Sequence, residues 1–379
     1  MKNSILYIGL SFITAFTLSS CKNDLDVLAP GEESVSVYGI INPNQSVQNI
    51  RINKVYLSDG DALAAGQNGE TINYGPGELR VSLQRFINGS TTPTVTSVGT
   101  GTIAAKKEIV LTETVVTTAG GNFSTQQRIW QTTDKLYNSG EYKLTIKNIN
   151  TGKEFTAQTI VVDSVRPNSV KPFIYHPTLY PMHGNYVVTG SPVTQQVAYI
   201  DYSILTATQF IKFKSIANAK LYSVVMRFHY IDSLIGGGTV NSYADYTFPN
   251  QKSSSINGGE DMEVSFSAND FYVVVGSEMQ KKSSANIKNR RSHYMEYIVM
   301  AGAETLNTFL QVNEPSNSIA QDKPYYTNIN GGVGVFSASS RSIITHDLWN
   351  DFIDKIACHP STNPYGFCNS SGVKTGVCP

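Results

Sequence analysis

Gly140-Glu141-Tyr142-Lys143-Leu144-Thr145-Ile146 is the stretch on which the fold class turns. Tyr142, Leu144 and Ile146 fall on one side of an extended chain, while Glu141, Lys143, Thr145 and Lys147 fall on the other. Period-two alternation of this kind makes a strand with one face on a core and the other in water. A turn at Asn150-Thr151-Gly152 follows, and the chain then extends again over Glu154–Val162.

The same pattern spreads outward in both directions. Val35, Val37, Gly39 and Ile41 alternate with Ser34, Ser36 and Tyr38. Further strands are expected over Ile50–Leu57, Leu79–Phe86, Ile109–Val116 and Glu141–Ile149. Asn88-Gly89 and Gly120-Gly121-Asn122 supply turns between them. Short strands at this spacing argue a β-sandwich over residues 34–166. Pro167, Pro172, Pro177 and Pro181 then interrupt regular structure and mark a boundary near Arg166-Pro167-Asn168.

A larger β-rich domain is expected over 167–343, with strands at Leu221–Tyr230, Tyr243–Phe248, Met262–Phe266, Tyr294–Ala301 and Thr308–Val312. Two short helices accompany it. Ser267-Ala268-Asn269-Asp270 has the form of a capping box with Asp where Glu is usual, and opens a helix to about Lys281. Leu348, Phe352 and Ile356 share one face of a second helix, from about Thr345 to Ala357, in a cysteine-containing tail over 344–379. The fold class is mainly β.

Lys plus Arg and Asp plus Glu number 29 each, and only 15% of residues are charged. Such a neutral chain lacks the basic footprint of a nucleic-acid binder or of a protein adsorbed to anionic lipid. Tyrosine, at 21 residues, outnumbers phenylalanine at 16, as suits extracytoplasmic strands that recognise carbohydrate or protein.

The chain opens with Met1-Lys2-Asn3, an apolar run from Ile5 to about Phe16, and Leu18-Ser19-Ser20-Cys21. A basic start, a short apolar core and small residues before a cut site make residues 1–20 a secretory signal, too short for a permanent membrane span. Leu18-Ser19-Ser20-Cys21 resembles the lipobox of bacterial lipoproteins. That resemblance implies cleavage before Cys21 and covalent lipid on it, palmitate among the acyl chains, each buried methylene contributing about 0.8 kcal/mol to anchoring. Residues 21–33 would then be a tether, with Pro30 and Gly31 in it. Lys22-Asn23-Asp24-Leu25-Asp26 resembles the signals that send Bacteroidota lipoproteins to the outside of the outer membrane; the bland alternative is a solvated tether facing the periplasm.

Four further stretches carry a wider resemblance: Val37–Asn42, Leu221–Tyr230, Asn257–Met262 with Asp270-Phe271-Tyr272, and Tyr326–Phe336. Together with the lipobox they resemble a Bacteroidota outer-membrane lipoprotein family of unknown function, over most of residues 21–343. Gly140-x-Tyr142-x-Leu144, a turn and a strand likewise resemble the end of immunoglobulin-like and transthyretin-like modules. The family resemblance implies the outer membrane, the cell surface, and a setting beside TonB-dependent transporters, adhesion systems or secretion machinery. It brings no catalytic residues. Asp163-Ser164-Val165 and Asp232-Ser233-Leu234 resemble the sites at which these bacteria O-glycosylate exported proteins, which makes Ser164 and Ser233 candidate modification sites.

The sequence holds no Gly-x-Ser-x-Gly elbow, no His-Glu-x-x-His and no phosphate-binding Gly-x-x-x-x-Gly-Lys-Ser/Thr loop. His176, His183, His229, His293, His346 and His359 are dispersed, and His229 reads as a strand residue. Asp59 to Glu70 faintly follows a calcium loop but has Leu63 where a donor belongs and Ala64 where the turn wants glycine. Cys358, Cys368 and Cys378, with nine residues between each and the next, favour one disulfide over a zinc site in an exported protein, with the pairing open. No catalytic residue, metal or cofactor beyond the Cys21 lipid is expected. The expected function is a non-catalytic binding or accessory protein presenting β domains to an outer-membrane partner; the alternative is a lipoprotein that binds or degrades surface glycans.

Overall fold

The computed structural model describes residues 33–55, 66–87, 89–99, 104–117, 126–163, 208–282, 284–313, 326–348 and 350–373. Its architecture is mainly β. The first part of the chain forms β1 (Val35–Ile41), β2 (Gln48–Lys54), the one-turn helix α1 (Gly69–Ile72), β3 (Leu79–Phe86), β4 (Glu108–Val110), β5 (Thr112–Thr117), β6 (Gln126–Thr132), β7 (Glu141–Asn148) and β8 (Glu154–Ile160). The alternation that opens the sequence reading becomes β7, and Tyr142, Leu144 and Ile146 are all completely buried. Strand β7 lies between β3 and β8, so Leu144 meets Leu83 on one side and Ala157 on the other. Apolar cross-strand pairs of this kind contribute about 0.2–1 kcal/mol each.

Burial of Tyr142 requires its hydroxyl to find partners. The hydroxyl accepts from the Tyr137 N–H at 2.8 Å and lies 3.1 Å from the carbonyl oxygens of both Tyr137 and Thr96. This is the geometry of a tyrosine corner, in which the phenol ties a strand to the loop just upstream. Val35, Val37 and Ile41 from β1, Ile50 and Ile52 from β2, and Trp130 from β6 belong to the same hydrophobic core. The chain crosses between sheets at the buried Leu111: β4 pairs with β3, while β5 pairs with β6.

The later part forms β9 (Thr208–Lys214), β10 (Ala219–Leu234), β11 (Thr239–Thr247), β12 (Gln251–Lys252), β13 (Asp261–Ser267), helix α2 (Ala268–Gln280), β14 (Ile287–Ala303), helix α3 (Glu304–Asn313), β15 (Ile329–Asn330), β16 (Gly332–Asp347) and helix α4 (Asn350–Cys358). A nine-stranded sheet runs β11-β10-β14-β16-β1-β2-β6-β5, with β12 also on β10. A five-stranded sheet runs β15-β8-β7-β3-β4, and β13 pairs with β9.

Strand β16 joins what the sequence reading divides at residue 166. Gly332–Ala338 pairs in parallel with β1, and Ser339–Asp347 pairs antiparallel with β14. Strands from both expected domains therefore share one hydrogen-bonded sheet. Gly334 makes the parallel approach feasible: its φ is +106°, and a Cβ there would run into the Val37 carbonyl.

Helix α2 carries the expected capping box, with Ser267 Oγ accepting from the Asp270 N–H at 3.0 Å and Asp270 Oδ2 accepting from the Ser267 N–H at 3.2 Å. It buries Phe271, Tyr272, Val275 and Met279. Two expectations are corrected. Thr308–Val312 is not a strand but part of α3, so the described chain has a third helix of more than two turns beside the two expected. Five residues of β-prone sequence are overridden there by packing, because α3 folds back at the end of β14 with Leu306 against Gly302. The tail helix begins at Asn350 rather than Thr345, because residues up to Asp347 are held in the ladder with β14.

The tail itself is core. Phe352 and Ile356 of α4, and Phe367 beyond it, are buried. Phe367 packs 5.8 Å from the Phe228 ring and 5.6 Å from that of Tyr230. Gly276 of α2 lies so close to the Ser361 backbone that a Cβ could not fit between them.

Candidate functional site

Cys21, Ser164 and Cys378 lie outside the described residues, as do Asp59, Asp61 and Leu63 of the weak calcium loop. Its far end, Glu70, sits in α1, with its N–H capped by Asn68 Oδ1 at 3.0 Å. Cys358 is half-buried at the end of α4, and Cys368 is buried beside Phe367. Among the described residues no cluster of His, Cys, Asp and Glu could hold a metal ion.

Ser233 is half-buried near the end of β10, opposite Thr239 of β11 and Asn289 of β14. Its neighbour Asp232 points the other way and is committed. Asp232 Oδ1 lies 2.8 Å from Arg290 Nε, a charge contact out of line for a hydrogen bond, and Oδ2 accepts from Ser242 Oγ at 2.7 Å. The acidic residue of that three-residue pattern is thus unavailable to an enzyme reading the folded surface.

The densest arrangement of functional groups lies on the sheet face opposite Asp232. In β10 the core-facing positions are Val224, Met226, Phe228 and Tyr230, so Arg227 and His229 project the other way. Register places Asp245 and Glu296 on either side of Arg227, and Tyr243 and Tyr294 on either side of His229. Arg227 makes two 2.8 Å hydrogen bonds to Asp245, through Nε and Nη2, and its guanidinium carbon lies 4.0 Å from the Tyr243 ring centre. The bidentate pairing with Asp245 raises the Arg227 pKa above its usual value. His229 stacks on Tyr294 at 4.2 Å and 16°, and its Nε2 lies 3.1 Å from Glu296 Oε2. Lys282 closes the edge, donating to the Tyr243 carbonyl at 2.6 Å and to the Tyr230 hydroxyl at 3.2 Å. Burial, then Asp232, pushes the Tyr230 pKa up to about 12.

This ladder is a polar and aromatic platform in which side chains of opposite or ionisable character lie side by side. Each carboxylate has a cationic or ionisable partner within 3.1 Å, and Tyr243 remains 47% exposed. A glycosidase needs one carboxyl held in an apolar surrounding as acid and another free to act as base or nucleophile. Asp245 pairs with Arg227 and Glu296 lies beside His229. The arrangement suits stacking and hydrogen bonding to a ligand surface.

Sequence reasoning found His229 as a strand residue but missed the ladder. The available signal was Arg-x-His in β10, Tyr-x-Asp in β11 and Tyr-x-Glu in β14, each pair two residues apart. These pairs become one site only when strand register aligns them. No family model matches the chain, and no curated protein matches it.

Proposed function

We propose that the protein is a lipid-anchored, non-catalytic binding or accessory protein of the outer membrane, displayed at the cell surface. Its β domains would be presented to a partner such as a TonB-dependent transporter or another outer-membrane complex. The observation that carries the reading is Leu18-Ser19-Ser20-Cys21 behind a short apolar leader, which supplies an anchor by chemistry alone. Two features of the body support it. Arg227 and His229 on the sheet face lie against Asp245 and Glu296, and one sheet spans both parts of the chain. An immunoglobulin-like identity for residues 34–166 draws support from the Tyr142 corner.

The test is copurification from detergent-solubilised membranes, coupled with protease shaving of intact cells. A stoichiometric barrel partner and release of the body from whole cells are expected; a soluble, unacylated protein with no partner sinks the reading. Glycan binding is the second reading, favoured by the exposed Tyr243 beside His229 and Tyr294. Retention on a polysaccharide column that Tyr243→Ala abolishes would favour it. Ser164 and Ser233 remain proposed O-glycosylation sites. With Asp232 held by Arg290, modification at Ser233 would have to precede pairing of β10 with β14.

A further inference from the structure

Strand β16 is paired on opposite edges in its two halves. β1 takes one edge over Gly332–Ala338, and β14 takes the other over Ser339–Asp347. β1 ends at Ile41, opposite Ala338, and the chain then turns away, with Gln45 donating its N–H to the Asn42 carbonyl at 2.9 Å. Pro43, inside that turn, has no N–H to carry the ladder further. Among the described residues no strand pairs with the second edge of Ser339–Asp347, and its main chain makes no bond outside the ladder with β14. Every second residue of such an edge turns both its N–H and its C=O outward.

Open edges invite pairing, and proteins usually blunt them with proline, lysine, a bulge or a covering group. The β11 edge at one end of the same sheet is treated in this way, since Lys282 donates to the Tyr243 carbonyl at 2.6 Å. Ser339–Asp347 contains no proline, lysine or glycine, and its register with β14 runs from Ser339↔Gly302 to Asp347↔Tyr294 without a shift. Arg341, Ile343, Thr345 and Asp347 project from one face of the strand and are all exposed. The ion pairs on that face, Arg227–Asp245 and His229–Glu296, involve neither Arg341 nor Asp347.

These four side chains are self-complementary. A second copy running antiparallel about Ile344 would set Arg341 opposite the second copy's Asp347, twice over, and Ile343 opposite its Thr345. Opposite charges in cross-strand register are favourable and like charges are not. A parallel copy in register would set Arg341 against Arg341, so charge selects the antiparallel arrangement.

We propose that the open edge of β16 joins two copies of this chain, Ser339–Asp347 of each pairing antiparallel to make one continuous sheet. The interface is isologous, so it closes at a dimer instead of growing into a fibre. It goes beyond the anchoring reading and stands without it, because the contacts lie wholly within the folded body.

The full chain is purified from cells, with detergent micelles in excess where it is acylated, and its mass is followed by sedimentation equilibrium as concentration rises. A monomer–dimer equilibrium is expected, with amide exchange over 339–347 slowing as the dimer forms while that of β11 stays constant. Arg341→Asp or Asp347→Arg sets two like-charge pairs across the axis and should raise the dissociation constant about tenfold or more. Combining both substitutions restores the opposite pairs and should restore the dimer. Both residues are exposed, so the melting temperature of the monomer should hardly move in any variant, which separates lost pairing from lost folding. A chain that stays monomeric at every concentration overturns the proposal, as does a dimer indifferent to both charge reversals or one that the double variant fails to restore. Slow exchange over 339–347 in the monomer overturns it too, because the edge would then be filled by the chain itself. Protection found only in unfractionated membranes would give the edge to a different protein and equally refute the dimer.

Discussion

Replacing Arg290 by methionine should weaken the protein more than any other single change to its tail contacts. The Arg290 side chain is 2% exposed and that of Asp232 is 10% exposed, with 2.8 Å between Nε and Oδ1. Arg290 also donates to the Tyr365 carbonyl at 2.6 Å and to Ser284 Oγ at 3.2 Å. Methionine keeps much of the stem volume but leaves the Asp232 carboxylate buried with Ser242 as its one remaining side-chain donor among the described residues. Stranding one partner of a buried ion pair costs about 3–5 kcal/mol, a large part of the 5–15 kcal/mol typical of a folded domain. Urea unfolding of Arg290→Met should therefore show a stability loss of about 3–5 kcal/mol. Limited proteolysis should also cut sooner beyond Asp347, because Arg290 pairs with Phe367 through its backbone and holds Tyr365 through its side chain. The double variant Asp232→Leu with Arg290→Met removes both charges and should recover most of the loss. A single variant within about 1 kcal/mol of the wild type, or a double variant worse than either single, would refute the reasoning.

Three other outcomes follow from the same contacts. His359 accepts the Ser361 N–H on Nδ1 at 3.2 Å, and Nε2 lies 3.3 Å from Asn269 Oδ1; burial first, then Lys355, holds its pKa below the ordinary value. The unfolded chain then binds the proton more readily. Stability should fall as pH drops through the free histidine value of about 6.5 and level off below the folded pKa, and melting temperatures across that range should flatten in His359→Gln. Gly334→Ala places a side chain at φ +106° against the Val37 carbonyl. The backbone alone costs about 1–2 kcal/mol, and hydrogen exchange should show β1 losing protection, whereas unchanged exchange would contradict the parallel pairing. Tyr142→Phe keeps the ring but strands the Tyr137 N–H, and denaturation should report a loss of about 1–3 kcal/mol.

Much of the strand pattern was legible because it is local. Leu79–Phe86 matches β3 residue for residue, and the Ser267 to Asp270 cap matches the start of α2, since each depends on neighbours within four residues. Thr308–Val312 was misread because so short a run fits either period, and contact with Gly302 settles the matter. The ladder was invisible for a related reason. Arg227 meets Asp245 across a hairpin and Glu296 across a pairing nearly seventy positions away, and nothing in either segment announces the partner.

The sequence by itself determined the class of structure: alternating strands, Asn-Gly turns and a capped helix. These follow from backbone sterics, side-chain periodicity and the chemistry of adjacent residues. Tertiary structure alone decided that β16 would join two stretches of chain into one sheet, that the tail would enter the core under Arg290, and that Arg227 and Asp245 would pair beside Tyr243. Those outcomes depend on register and on burial of charge. Both are properties of segments brought together by folding, and neither is written in any one of them.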